Sequence, residues 1–246
     1  MRKNLTLLFI ILLIYTTVQA QSDYRQWEAG YVSVKSGQSE MFEKGIAAHN
    51  KKFHNADPYK IAVFSVLSGP NSGKYFVALG PVTFSQIEGR PTGDEHGMDW
   101  DKNVLPYIDS EDETSYWREY KDALYRAPGS DNFTRSRFRN FTILPGQHEQ
   151  FETLVKQVAN MYKVKAYPAS YSVYFKWGAS AGPHAITEIS VDHWSYFDRP
   201  DTFEKDFEEV NGAGSYKRLM EGLELCVDRT KTFDELIEYK PALSSE

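Results

Sequence analysis

His49 is the first residue with chemistry to offer. It falls on the apolar stripe Phe42, Ile46, His49, Phe53, whose spacings of four, three and four put all four residues on one face of a helix. An imidazole turned into a pocket there could act as a base near neutral pH. The bland alternative is a core histidine bonded to a backbone carbonyl or a tyrosine hydroxyl. His96 is the second candidate base. It lies in an acid-rich run of Asp94, Glu95, His96, Asp99 and Asp101, with Trp100 beside it as a candidate binding residue. Such donors could hold a divalent cation, but their spacing matches neither an EF-hand nor H-E-x-x-H. The run reads as a solvated loop, and no metal site is expected.

A further group falls on strand-like segments. Tyr171, Val173, Phe175 and Trp177 share one face of an alternating run, and Ser170, Ser172, Tyr174 and Lys176 share the other. The first face reads as core, and the polar, aromatic second face as the side that meets another sheet around a wet or ligand-filled space. Tyr171, Trp177, His184, Glu188 and Trp194 join Trp100 as candidates for a ligand pocket. Glu188 stands inside a buried strand, where a carboxylate needs a partner or water, so it is expected to face a cavity between sheets. Arg90-Pro91 and Arg199-Pro200 could neutralise it but fit better as helix-entry motifs. Cys226, the only cysteine, has apolar neighbours and reads as core. There is no G-x-S-x-G, no P-loop and no dinucleotide fingerprint.

The elements that position these residues come in two copies. At an offset of 109 residues, Gly37-Gln38-x-Glu40-x-Phe42-Glu43 lands on Gly146-Gln147-x-Glu149-x-Phe151-Glu152, and Arg90-Pro91 on Arg199-Pro200. Later, Glu119-Tyr120-Lys121 matches Glu238-Tyr239-Lys240. Each copy reads as strand, helix, strand, strand, helix, strand. The second helical stripe is Phe151, Val155, Val158, Tyr162, so His49 replaces Val158. Leu79 stands where the second copy has Glu188, and the His96 run has no counterpart. Hairpin glycines separate 61–67 from 75–79 and 171–177 from 184–191. A short helix is expected around 102–108. The implied organisation is a first repeat over 21–124, a linker over 125–137 and a second repeat over 138–246.

The first 20 residues have the form of an export signal: Arg2 and Lys3, an apolar run from Leu7 to Tyr15, then Val18-Gln19-Ala20. The expectation is an exported chain, periplasmic or secreted, with no membrane association after cleavage. A formal charge of −6 and the absence of a basic stripe exclude nucleic acid as a partner. One cysteine allows no internal disulfide.

The doubled β-α-β-β-α-β pattern is ferredoxin-like, and two such sheets facing each other in one chain resemble the dimeric α+β barrel superfamily in tandem form. The resemblance covers about 28–243 and implies an α+β fold of two ferredoxin-like repeats closing an intramolecular barrel. The superfamily includes cofactor-independent monooxygenases, lactone isomerases, haem proteins of the chlorite dismutase kind and non-catalytic binding proteins, so the fold alone assigns no activity. Tandem haem proteins of this type take their iron-binding histidine from a helix of the second half. Here those helices hold His148 alone, in a first turn, while His184 and His193 lie on or beside a strand. No cofactor is therefore expected, and haem is disfavoured. The expected function is binding of a small apolar or aromatic molecule. The alternatives are a cofactor-independent monooxygenase or isomerase using His49 or His96 as base, and a structural or interaction module. A homodimer is a further option.

Overall fold

The computed structural model describes residues 24–90, 93–178 and 182–245; the export segment expected at 1–20 lies outside them. The first half runs β1 (Gln26–Val34), α1 (Ser39–Phe53), β2 (Ile61–Val66), β3 (Tyr75–Leu79), α2 (Phe84–Glu88), α3 (Asp94–Asn103), β4 (Ile108–Glu111) and β5 (Ser115–Glu119). The second runs β6 (Arg135–Phe141), α4 (His148–Val164), β7 (Ser170–Trp177), β8 (Ala185–Val191), α5 (Phe203–Asn211), α6 (Ser215–Cys226) and β9 (Phe233–Tyr239). Among the described residues no helix is long and apolar enough to cross a membrane.

The two Gly-Gln pairs start the two long helices. Gly37 and Gly146 have φ of 75° and 77°, the left-handed region that glycine enters without a Cβ clash, and each turns the chain into its helix. Glu40 and Glu149 sit in the first turns and Lys51, Lys52 and Lys163 in the last, complementing the helix dipoles. The apolar stripes then decide what is buried: Phe42, Ile46 and His49 on α1, Phe151, Val155 and Tyr162 on α4.

All strand pairings are antiparallel, and eight strands close a barrel in the ring order β1-β3-β2-β9-β6-β8-β7-β5, with β5 returning to β1. The ninth strand, β4, continues the same edge of β1 that β5 occupies. Val32 pairs with Glu111 and Ala29 with Ser115, so β4 and β5 behave as one strand interrupted at 112–114. The first half orders its strands β5-β1-β3-β2 and the second β9-β6-β8-β7. They join edge to edge through β5–β7 and β2–β9, which leaves no long unpaired edge among the described residues.

Side chains pack in three layers. Inside the barrel, Phe76, Trp117, Phe138, Ile186 and Ile237 form one cluster. Outside it, α1 covers the first half over Phe42, Ile46, Val63 and Val104, and the second-half helices cover Phe151, Met161, Tyr171 and Phe207. The halves also exchange their ends. The 3-10 turn at Lys121–Ala123 packs on α4, and that at Pro241–Leu243 packs on α1, where Asn50 Nδ2 donates to the Leu243 carbonyl at 2.7 Å.

Two expectations need correction. The run expected to be a solvated loop is the helix α3, and the helix placed at 102–108 is the end of α3 followed by a 3-10 turn at Leu105–Tyr107. The run is helical because its acids, Asp94 and Glu95, fall in the first turn and Lys102 in the last, and because Trp100 packs against the α1 layer.

Candidate functional site

Two places in the molecule gather chemistry, one inside the barrel and one outside it. Inside, alternation along antiparallel strands decides which residues meet. Ala29, Ala78 and Ala62 are in register across β1, β3 and β2, forming a band of small side chains on the lumen wall. Opposite them stand larger groups, and the space left between is a cavity of about 430 Å³, within the size range of small-molecule sites. Trp27, Phe64, Phe76, Trp117, Phe138 and Tyr174 give it aromatic walls.

Glu188 is the polar centre of that wall. Its Oε1 accepts from Ser136 Oγ at 2.7 Å and Ser190 Oγ at 2.9 Å, and its Oε2 accepts from Tyr174 Oη at 2.8 Å. Burial pushes the Tyr174 phenol well above its usual range, and the Glu188 charge adds to this, so the phenol stays a neutral donor. Two arginines at the cavity, Arg25 and Arg126, are anchored behind it by Glu119, which is 2 % exposed at its side chain and pairs with Arg25 at 3.4 Å and with Arg126. The Arg25 guanidinium lies 5.0 Å from the Trp27 ring. The segment between the halves contributes Ser130, Asp131, Phe133 and Thr134 to the rim.

Outside the barrel, α1 and α3 bring three imidazoles together. Ring centroids are 4.7 Å apart for His49–His96, 5.4 Å for His49–His54 and 5.2 Å for His54–His96. His49 is 1 % exposed and His54 7 %. Nδ1 of His49 lies 2.8 Å from Asp99 Oδ2, and the other Asp99 oxygen accepts from Asn103 Nδ2 at 2.8 Å. Nδ1 of His54 lies 2.8 Å from the Tyr59 carbonyl, which can only accept, so that nitrogen carries the proton. Nε2 of His54 then faces Nε2 of His96 at 3.1 Å. Burial lowers the His54 pKa to about 4 against the raising effect of the Tyr59 carbonyl, and burial followed by the nearby His49 lowers that of His96. The hydrogen bond to His49 holds the Asp99 carboxyl below the usual carboxylate range. Phe53 and Trp100 wall the group, with ring contacts at 5.1 Å and 5.3 Å from His49.

The sequence candidates are thus divided between these places and others. Glu188 lines the lumen as expected. His49, His96 and Trp100 come together, but on the outer helix layer rather than on the lumen wall. Tyr171 is fully enclosed between β7 and α4, against Tyr162 at 5.2 Å. Trp177 is 50 % exposed and lies on Phe84 at 4.6 Å. Both belong to the helix-side face of β7; the lumen takes Ser170 and Tyr174 from the alternate face. His184 is spent on the Ile143 backbone at 3.1 Å, and Trp194 sits in a 3-10 turn against Phe197 at 6.2 Å. None of these four lines the barrel cavity.

Sequence reasoning missed His54, because it caps α1 one residue beyond the helical stripe. It also missed the lumen residues of β1, β2, β3 and β5, whose period-2 pattern of alanine against aromatic was the available signal.

No family model matches the sequence, and no curated protein matches it. Solved structures do match in fold. A candidate monooxygenase from Fusobacterium nucleatum is 11% identical with a TM-score of 0.58, over 91% of this chain and 98% of that one. A chlorite dismutase from Candidatus Nitrospira defluvii is 8% identical with a TM-score of 0.51, over 90% and 93%. A heme-binding protein from Thermus thermophilus is 9% identical with a TM-score of 0.51, over 89% and 92%. The chain has the fold of the dimeric α+β barrel superfamily.

The expectation that no cofactor is involved is corrected: a heme-binding protein shares this architecture, so the fold gives no ground for excluding that group. The second-half residues do not fit haem by the expected route. His148 is exposed, pairs with Glu152 at 3.2 Å and rests on Phe175, and the space between helices and sheet behind it is filled by Phe151 and Phe207, both 0% exposed.

Proposed function

We propose that this protein binds a small, flat, largely apolar molecule in the barrel lumen. The observation that carries the reading is the Ala29–Ala78–Ala62 band facing aromatic walls, with Glu188 at the polar end of the cavity. Aromatic walls favour a ring that can stack or meet them edge-on, and the acceptor oxygens of Glu188 favour a ligand presenting a hydroxyl or amine donor. Two further readings accompany it: the halves are tandem copies of one ferredoxin-like unit, supported by their matching strand orders, and residues 1–20 export the chain. Base catalysis by His49 or His96 on a lumen ligand has no support, since neither lines the cavity.

The test is a titration with 1-naphthol, followed through the fluorescence of Trp27 and Trp117. Saturable quenching that disappears in Ala78→Phe, with the fold intact by circular dichroism, supports the reading. Equal binding in Ala78→Phe overturns it.

A further inference from the structure

We propose that His49, His54 and His96 form a binding site for one divalent transition-metal ion of the imidazole-preferring class, zinc, copper or nickel. Half of the six histidines in the chain converge here, and one ring nitrogen from each lies within 4.8 Å of the other two. This reverses the expectation, drawn from spacing alone, that the His96 segment holds no metal.

The orientation of the rings separates a metal site from a packed histidine cluster. Asp99 takes Nδ1 of His49 and the Tyr59 carbonyl takes Nδ1 of His54. With Nδ1 so engaged, Nε2 is the nitrogen each ring keeps for an ion, and that of His54 faces Nε2 of His96 at 3.1 Å. A carboxylate or carbonyl behind each imidazole is the arrangement that fixes the tautomer and raises ligand basicity in metal sites. His96 can donate to only one of those two lone pairs, whereas an ion can accept from all three nitrogens.

The spacing is also close to what is required. Two nitrogens bound at about 2.0–2.1 Å to a tetrahedral ion lie roughly 3.3 Å apart. The His54–His96 pair already stands at 3.1 Å, and the wider pairs, within 4.8 Å, need to close by up to about 1.5 Å. Asp99 supplies a carboxylate at the His49 end; Arg90, whose charge acts on His54 and His96, is paired with Glu28, and Lys52 with Glu95 at 2.6 Å.

Among the described residues no fourth histidine, cysteine or carboxylate joins the group. Three protein ligands leave a coordination position for water or an exogenous ligand, the open rather than the closed type of site. It would be reached on the His96 side, where burial is incomplete.

The test uses the mature chain purified without a histidine tag, stripped with chelator and titrated with Zn²⁺ and with Co²⁺ as a spectroscopic substitute. The expected result is one ion per chain and visible Co²⁺ bands. Asp99→Asn should weaken Zn²⁺ binding about 10- to 100-fold, as loss of a supporting residue does. His54→Ala and His96→Ala should weaken it further, while His148→Ala and His193→Ala leave it unchanged. Circular dichroism checks that each variant folds, and half-buried His96 keeps the test open should His54→Ala fail to fold. Absence of stoichiometric uptake, or uptake unaffected in folded His96→Ala, overturns the proposal.

Discussion

Asp99 and His49, fifty residues apart in sequence, share a 2.8 Å hydrogen bond between a half-buried carboxylate and a buried imidazole. The bond joins α3 to α1 and fixes which nitrogen of His49 carries the proton. It also explains why a histidine is tolerated on an apolar stripe at which the second half has Val158: its polar edge is satisfied from another helix rather than left in the core.

That relationship has a stability consequence. Asp99→Ala leaves the buried Nδ1–H of His49 without its acceptor, and should cost about 1–3 kcal/mol. Asp99→Asn keeps a side-chain oxygen at the same place and should cost less. Urea denaturation of the metal-free chain measures both, and equal midpoints for wild type and Asp99→Ala would contradict the assignment.

The crossing of the same two helices depends on Gly45. A Cβ added there would stand 2.0 Å from the Asn103 carbonyl oxygen at the end of α3, a backbone atom that cannot swing aside. Gly45→Ala should therefore force α3 outward, destabilise the protein by about 1–3 kcal/mol and separate His96 from His49. Thermal melting checks the first effect. The second would appear as altered histidine ring resonances in NMR spectra.

Inside the barrel, Ala78→Phe adds volume to a cavity rather than to a filled core. The melting temperature should stay near that of wild type while 1-naphthol binding is lost. Phe138→Ala is the opposite case: it removes a buried ring, and should cost about 3–5 kcal/mol.

Acid stability should depend on Asp206. It accepts from Thr202 Oγ1 and Tyr167 Oη, both at 2.7 Å, and pairs with Lys165 at 2.9 Å. The Thr202 bond, then the Lys165 and Tyr167 bonds, bring its pKa down from 3.8 to about 2. A carboxyl whose folded pKa lies below its unfolded value stabilises the fold above about pH 4, and that contribution fades as pH falls towards 2. Melting temperatures of wild type and Asp206→Asn should differ at pH 6 and converge near pH 2. A gap that persists at pH 2 would show that charge is not the cause.

Period and register were legible in the residues. The stripes Phe42–Ile46–His49 and Phe151–Val155–Tyr162 predict α1 and α4, and the alternating run from Ser170 to Trp177 predicts a strand with two unlike faces. Glu188 was found because a carboxylate in a buried strand has few places to go. The His96 segment was misread because its acids suggest solvent, and the apolar contact that makes it a helix comes from Trp100 meeting α1.

Local sequence thus determined the elements other than α3, since helix and strand periods depend on neighbours a few residues away. It also carried the internal matches at helix entry, hairpin and closing strand on which the proposal of two copies rests. Polarity had already turned the Ser170 and Tyr174 face of β7 toward the space between sheets; only tertiary structure removed Tyr171 and Trp177, on the other face, from the pocket by packing them on the helix side. Only tertiary structure brought His54 to His96 and Asp99 to His49. Those contacts depend on the crossing of α1 and α3 at Gly45, a distance in space that no spacing along the chain encodes.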